Sequence, residues 1–343
     1  MEYVNNMVSV IMSNFNTPEE FLRSSIESVL NQTYKNFEFI IIDDCSTDNS
    51  LDIIRSYDDK RIRILKNEKN LGITKSLNRG LAIAQGEFVA RMDADDICLP
   101  QRFEKQVEFL KNNPQVIVCG AGVELIGNWQ GKYSHQRLCR EIPDKETFRI
   151  QLLFGNYPNI VHPTAMFDRK KLDLYKIKYN EDYIYAQDYR MWVSCSEHGE
   201  CENIPETLLY YRVHGGAVSG SKKEQQDACA LGIMKEQLLK LGLDLTEEYE
   251  EIHRNFLLER KEYSLKCKKW IKIILNQNKK QGVYDHKRLK KILWGKWTEI
   301  SYFGLRKQKN PFGMLRVAVN IPLNQVGNFL QIKKQRSNKN KEN

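Results

Sequence analysis

The stretch Phe37-Glu-Phe-Ile-Ile-Ile-Asp-Asp-Cys-Ser-Thr-Asp-Asn-Ser50 begins as a dense apolar run and stops abruptly in carboxylates and turn formers. Phe37–Ile42 reads as a strand covered on both faces, because such strands lack the apolar–polar alternation of half-exposed ones. Upstream, Val8–Met12 is a second short apolar run, followed by Thr17-Pro18-Glu19-Glu20. There Thr17 can cap a helix, Pro18 suits its first position and Glu20 completes a capping box. Leu22, Ile26, Val29 and Leu30 recur at helical spacing behind it. Downstream, the pattern predicts a helix over Ser50–Tyr57, a strand at Arg61–Leu65, a helix from Ile73 to Ala84 and a strand at Glu87–Met92. This alternation predicts an α/β fold, a mostly parallel sheet with helices on both faces.

From Val116 the pattern becomes irregular, broken by Gly120, Gly122, Gly127 and Gly131. Asp188–Glu197 reads as a helix stopped by Gly199, and Lys222–Arg260 as polar and helical. The last third alternates basic and apolar stretches, and Lys333–Asn343 is too polar to pack. No internal repeat is present.

The 343 residues suffice for about two or three domains. With 41% hydrophobic and 28% charged residues, the chain is neither wholly disordered nor a polytopic membrane protein. No run reaches the length of about 18 apolar residues that a spanning helix needs. Met1-Glu-Tyr-Val-Asn-Asn6 lacks a basic segment followed by an apolar one, so no secretory signal is expected and the chain is expected to stay in the cytosol. Eight scattered cysteines, without a Cys-x-x-Cys pair, read as reduced structural thiols. The net charge of +9 is unevenly distributed. Residues 261–343 hold 21 Lys and Arg against 4 Asp and Glu, a net of +17. Residues 1–260 hold 32 against 40, a net of −8, so an acidic body carries a basic tail.

In an open parallel sheet, ligands bind beyond the C-terminal ends of the strands. The first strand runs into Ser13-Asn14-Phe15-Asn16, the second into Asp43-Asp44-Cys45-Ser46-Thr47-Asp48, and the Glu87–Met92 strand into Asp93-Ala94-Asp95-Asp96. Asp48 and Asp96 suit turns or caps equally well. Carboxylates so concentrated repel one another unless a cation joins them, and a hard divalent ion with phosphate oxygens is the natural partner. Neither a Gly-x-Gly-x-x-Gly motif after the first strand nor a Gly-x-x-x-x-Gly-Lys-Ser/Thr loop is present, so a pyrophosphate would need metal rather than backbone donors.

Several motifs in order carry a resemblance. Val8-Ser-Val-Ile-Met with Asn16, Ser28-Val-Leu-Asn-Gln-Thr33, Asp43-Asp-Cys-Ser-Thr-Asp-Asn-Ser50, Asn70-x-Gly72, Asn78-Arg-Gly80, Ala84-Gln-Gly-Glu87 and Asp93-Ala-Asp-Asp-Ile97 resemble the inverting family 2 glycosyltransferases. His162-Pro-Thr-Ala-Met-Phe167, Gln187-Asp-Tyr-Arg-Met-Trp192 and Tyr211-Arg-Val-His214 resemble that family's acceptor-side motifs. The resemblance covers roughly residues 5–220. It implies a GT-A fold over 1–220, with a nucleotide-sugar-binding half at about 1–115 and an acceptor-binding half at 116–220. Residues 221–343 would then form a basic helical C-terminal extension with a disordered end.

The resemblance also implies roles. Asn16, Asp43 and Asp44 would lie on the nucleotide side, with Asp44 at the base. Asp95 would hold Mn²⁺ or Mg²⁺, and Asp93 would stand beside it or nearer the ribose. Asp188 would be the general base, Gln187 replacing the Glu that commonly precedes it. Arg212 and His214 would close over the diphosphate. The implied donor is a UDP-linked sugar, the acceptor a glycan or lipid-linked glycan, and the setting cell-surface polysaccharide biosynthesis. His162-Pro163 shapes a turn or lines the acceptor pocket, Trp192 is core or a sugar-stacking wall, and His135, His198, His253 and His286 read as structural or surface residues. In the tail, Lys and Arg mixed with Trp270, Trp294, Trp297, Phe303, Phe312 and Leu315 suit either peripheral contact with an anionic membrane or a packed helical appendage. Two rival readings are a sugar-1-phosphate nucleotidyltransferase, which lacks its Gly-rich basic loop here, and a nucleic-acid-binding protein, which the acidic body disfavours.

Overall fold

The computed structural model describes residues 3–129, 132–133, 136–155, 160–214, 223–257 and 264–307. Gly131, His135, Gly215, Gly216, Phe312, Leu315 and the polar end at 333–343 lie outside the described residues. The chain divides into two compact units: residues 1–145 with 158–230, and residues 146–157 with 231–343.

The first unit is built on a ten-stranded sheet. Its strands are β1 (Val4–Asn14), β2 (Phe37–Asp43), β3 (Ile62–Lys66), β4 (Gly86–Asp93), β5 (Ile97–Cys98), β6 (Val116–Trp129), β7 (Lys132–Tyr133), β8 (Arg137–Leu138), β9 (Met166–Asp168) and β10 (Glu200–Val213). The order is β3-β2-β1-β4-β9-β6-β10-β5, with β7 and β8 paired to β6. Parallel pairing joins β3, β2, β1 and β4, and again β6 and β10, while the short β9 is antiparallel to both neighbours.

Every residue of β2 is buried, as its composition implied. The period of two sorts the side chains of β1 and β2 between two layers. Val8, Val10, Met12, Phe37, Phe39 and Ile41 share a core with Leu22, Ile26 and Val29 of α1 (Glu19–Leu30) and with Phe103, Val107 and Leu110 of α4 (Arg102–Asn112). Ile11 and Ile42 face the opposite side, where α3 (Ile73–Ile83) lies against them through Gly80. Helix α2 (Ser50–Arg55) follows β2. Helices α5 (Lys145–Leu152), α6 (Arg169–Leu174) and α7 (Gln187–His198) come later in the chain.

The start of α1 differs from the capping-box expectation. Pro18 is the cap: its extended backbone aims its carbonyl at the N–H groups of Phe21 (2.9 Å) and Leu22 (3.0 Å), and no side-chain cap bond forms.

In the second unit, α8 (Lys223–Lys240) from residue 231 onward, α9 (Glu247–Leu257), α10 (Ser264–Gln281) and α11 (His286–Lys307) form a helical assembly. Trp270, Ile271, Ile274, Leu289, Leu293, Trp294 and Trp297 are buried there with Ile150, Leu153 and Phe154 of the inserted 146–157 segment. Trp270 Nε1 donates to His253 Nδ1 (3.0 Å), and His253 Nε2 faces the Leu153 carbonyl (3.1 Å). Burial lowers the His253 pKa to about 4, keeping the ring neutral. The three tryptophans are therefore core residues of this unit. Among the described residues, no helix is long and apolar enough to cross a membrane.

Candidate active site

The parallel strands β1, β2 and β4 deliver their C-terminal ends side by side: Ser13 pairs with Ile42 and with Asp93, and Asn14 with Asp43. Asn14, Asp43 and Asp44 are all buried. Asn14 Nδ2 donates to Asp43 Oδ1 (3.3 Å) and to Ser46 Oγ (3.1 Å), and Asp43 Oδ2 accepts the Ser46 N–H (3.3 Å). Asn16 zips the first loop to the second: its N–H donates to Ser46 Oγ, its amide to Thr47 Oγ1, and its Oδ1 accepts the Thr47 N–H. Asn16 and Cys45 both adopt positive φ, 50° and 62°, a strained conformation outside glycine that is enriched at functional sites.

Asp44 lies where the second loop meets the turn before α3. Its Oδ1 accepts from Asn67 Nδ2 (2.6 Å) and the Leu71 N–H (2.8 Å), and its Oδ2 from the Gly72 N–H (2.8 Å). Gly72 has φ 81°, so the Asn70-x-Gly72 motif is explained by a turn that only a residue without Cβ takes readily.

The Asp93–Asp96 loop is held from behind by α1. Ser25 Oγ donates to the Asp93 carbonyl (2.8 Å), Ser28 Oγ accepts the Cys98 N–H (3.0 Å), and Gln32 Nε2 donates to the Leu99 carbonyl (2.8 Å). These bonds give the Ser28-Val-Leu-Asn-Gln-Thr33 motif its physical role. Carboxylate oxygens of Asp93, Asp95 and Asp96 lie within 4.8 Å of one another. Asp96 is buried, its Oδ1 accepts the Arg212 N–H (2.8 Å), and its Oδ2 has no hydrogen-bond partner. Burial, with the charges of Asp93 and Asp95, pushes Asp96 well above the usual carboxylate range. Asp93 is also raised, by burial first and by Asp95 and Asp188, against the lowering effect of Arg91. Crowded hard oxygen donors with one orphaned buried oxygen fit a divalent cation such as Mg²⁺ or Mn²⁺.

The end of β10 closes over this cluster. Arg212 Nε donates to the Asp95 carbonyl (2.8 Å), and His214 Nε2 lies 2.9 Å from Asp95 Oδ2. Phe21 of α1 supports both, with the Arg212 guanidinium 4.1 Å and the His214 ring 5.5 Å from its centroid. Asp188 stands in the first turn of α7, where Ala186, not Asp188, is the cap. Its Oδ1 accepts the N–H of Tyr189 (2.8 Å), and burial raises its pKa. Its charge acts on Asp93, which brings it electrostatically into the same neighbourhood. His162 Nε2 meets Tyr179 Oη at 2.9 Å in a buried 3₁₀ turn, and Trp192 is fully buried, stacked on Phe167.

Of the residues singled out in the sequence, the structure gathers Asp93, Asp95, Arg212 and His214 and links Asn16, Asp43 and Asp44 at the neighbouring strand ends; Asp96, Arg91 and Phe21 adjoin them. Asp96 stands evenly between a turn former and a member of the carboxylate cluster in the sequence, where its signal is the third carboxylate in four residues. Arg91 is a charged residue inside the apolar run Phe88–Met92 of β4, a signal open to sequence reading. Phe21 gave none, since an aromatic residue on a helix usually reads as core.

The crystal structure of S. aureus TarS 1-349 in complex with UDP-GlcNAc matches with a TM-score of 0.56 at 19% identity, covering 90% of this chain and 90% of that one. The likeness establishes the GT-A fold. An uncharacterized glycosyltransferase of Haemophilus influenzae is 34% identical over 261 residues, 70% of this chain and 76% of that protein. The Escherichia coli UDP-Glc:alpha-D-GlcNAc-diphosphoundecaprenol beta-1,3-glucosyltransferase WfaP is 30% identical over 222 residues, 63% of this chain and 81% of its own length. The profile of Glycosyl transferase family 2 matches residues 9–175. The chain belongs to glycosyltransferase family 2 and is a glycosyltransferase.

Proposed function

We propose that the protein is an inverting enzyme that moves a sugar from a UDP-linked donor to a hydroxyl of a glycan or lipid-linked glycan, in the assembly of a surface polysaccharide. Residues 1–220 would carry the chemistry, and 221–343 would be an appended helical segment. The carrying observation is the gathering of carboxylate oxygens of Asp93, Asp95 and Asp96 within 4.8 Å of one another at the strand ends. The UDP-GlcNAc complex of TarS and the name of the E. coli relative support a nucleotide-sugar donor and a lipid-linked acceptor.

In this reading Asp95, with Asp93 and Asp96, holds Mn²⁺ or Mg²⁺. When bound, that ion neutralises negative charge developing on the leaving diphosphate. Asn16, Asp43 and Asp44 shape the nucleotide pocket, and Arg212 with His214 closes over the diphosphate. The acceptor hydroxyl attacks the anomeric carbon from the face opposite the diphosphate, and Asp188 takes its proton. A single displacement of this kind inverts the anomeric configuration.

The test is transfer from a panel of nucleotide sugars, with product configuration read by NMR, in the wild type and in Asp188→Ala. The expected result is an inverted product, and a variant that binds nucleotide normally but loses transfer by about 10²-fold or more, as removal of a general base does. Undiminished transfer by Asp188→Ala would remove Asp188 as the base.

A further inference from the structure

Arg91 lies in β4 between β1 and β9, opposite Ile11, and its backbone N–H donates to the Ala165 carbonyl (2.9 Å). Residues i and i+2 of a strand point to one face, so its side chain emerges beside that of Asp93. The guanidinium is 3% exposed and ion-paired with Asp93 Oδ2. A charge so buried in a central strand is retained only with a partner, because desolvation opposes it. Its Nε, fully buried, has no hydrogen-bond partner. Arg91 also lines a small internal cavity together with Tyr179 and Met191, and Met191 lies three residues beyond Asp188 on α7. Its positive charge is felt at Asp93, Asp96 and Asp188, and at Tyr179, Tyr211 and His162.

We infer that Arg91 is a positioning residue of the transfer site: it occupies one oxygen of Asp93, leaving the cation mainly to Asp95 and Asp96, and its fixed positive charge is shared by Asp93 and Asp188. The inference rests on the metal-assisted reading above and adds a sign to it. A guanidinium beside a cation site repels the cation, so its removal strengthens metal binding while disordering the carboxylates used in transfer. A purely structural ion pair gives the opposite sign, since a loosened Asp93–Asp96 loop binds metal less well.

The test is Mn²⁺ binding to the whole protein without substrate, by calorimetry or electron paramagnetic resonance, with circular dichroism confirming the fold. Arg91→Met is expected to tighten Mn²⁺ binding by about fivefold, the effect of removing one like charge several ångströms away in a polarisable protein medium. Its kcat for transfer is expected to fall by at least about tenfold, as when positioning of a catalytic group is lost. Arg91→Lys keeps the charge without the fork, so Mn²⁺ affinity should stay within about twofold while kcat falls more than the donor KM changes. Weaker or unchanged Mn²⁺ binding in a folded Arg91→Met overturns the inference. If that variant does not fold, an unchanged kcat or tightened Mn²⁺ binding in Arg91→Lys overturns it. A wild type that binds no Mn²⁺ would instead overturn the metal-assisted reading itself.

Discussion

Asp188 combines two demands on one carboxyl group: it sits in a helix's first turn, where negative charge is favoured, and in surroundings that disfavour its ionised form. Burial prevails and raises its pKa, partly offset by the Tyr189 N–H and by Arg91. A general base must be ionised, so transfer should increase as pH rises through this raised value. The acid limb of kcat against pH is expected above the usual Asp value of about 3.9, and it should vanish in Asp188→Ala. An acid limb unaltered in the variant's residual activity would assign it to another group. Asp44 shows where a sequence motif names a residue without its work. The paired aspartates at 43 and 44 mark a binding loop, yet three donors from Asn67, Leu71 and Gly72 converge on Asp44, and no local pattern announces them. Long-range hydrogen bonds of this kind are invisible in the chain because their partners lie more than twenty residues away.

The elements up to residue 93 were legible because each strand and helix keeps its own period and short polar connections separate them. Beyond Val116 the period fails for a physical reason. In β6, Gly120 replaces a core side chain because a Cβ there would stand 2.3 Å from Asn203 Oδ1 and 2.6 Å from Ile160 Cγ2. A strand that packs by close backbone approach carries glycines where a pattern search expects apolar residues. Its parallel pairing with β10 also shifts register three times, which breaks alternation. Helix α3 makes a similar approach at Gly80, where a Cβ would meet Ile11 Cγ2 at 2.6 Å and Ile42 Cδ1 at 3.0 Å. Helix propensity favours Gly80→Ala by about 1 kcal/mol, but overpacking a core costs about 1–3 kcal/mol, and β-branched Ile11 has little freedom to yield. Gly80→Ala is therefore expected to destabilise the protein by about 1 kcal/mol in denaturant unfolding. A stabilised Gly80→Ala would show that α3 lies less tightly on the sheet.

The division into an acidic body and a basic tail was readable from charge alone, whereas the burial of the tail's tryptophans was not. Basic and aromatic residues at helical spacing describe both an interfacial helix and a packed one, and only the partner surface distinguishes them. Here that partner includes Ile150, Leu153 and Phe154, far away in sequence. For a proposed peripheral contact with an anionic membrane, α10 offers an exposed row, Lys269, Lys272, Lys279 and Lys280, each worth about 1 kcal/mol near an anionic surface, with Lys287, Lys290 and Lys291 exposed on α11. Substituting the four of α10 by Glu is expected to abolish flotation of the protein with anionic vesicles, leaving its fold and circular dichroism intact; equal flotation would rule this face out. The broader account depends on acidic strand ends acting together as a cation-dependent grip on a nucleotide. The most direct measurement is calorimetric titration of UDP into the wild type and Asp95→Ala, with Mn²⁺ and with chelator. The expected result is binding by the wild type only with Mn²⁺, and its loss in Asp95→Ala under both conditions. Equal UDP affinity in chelator, or in Asp95→Ala, would contradict the account.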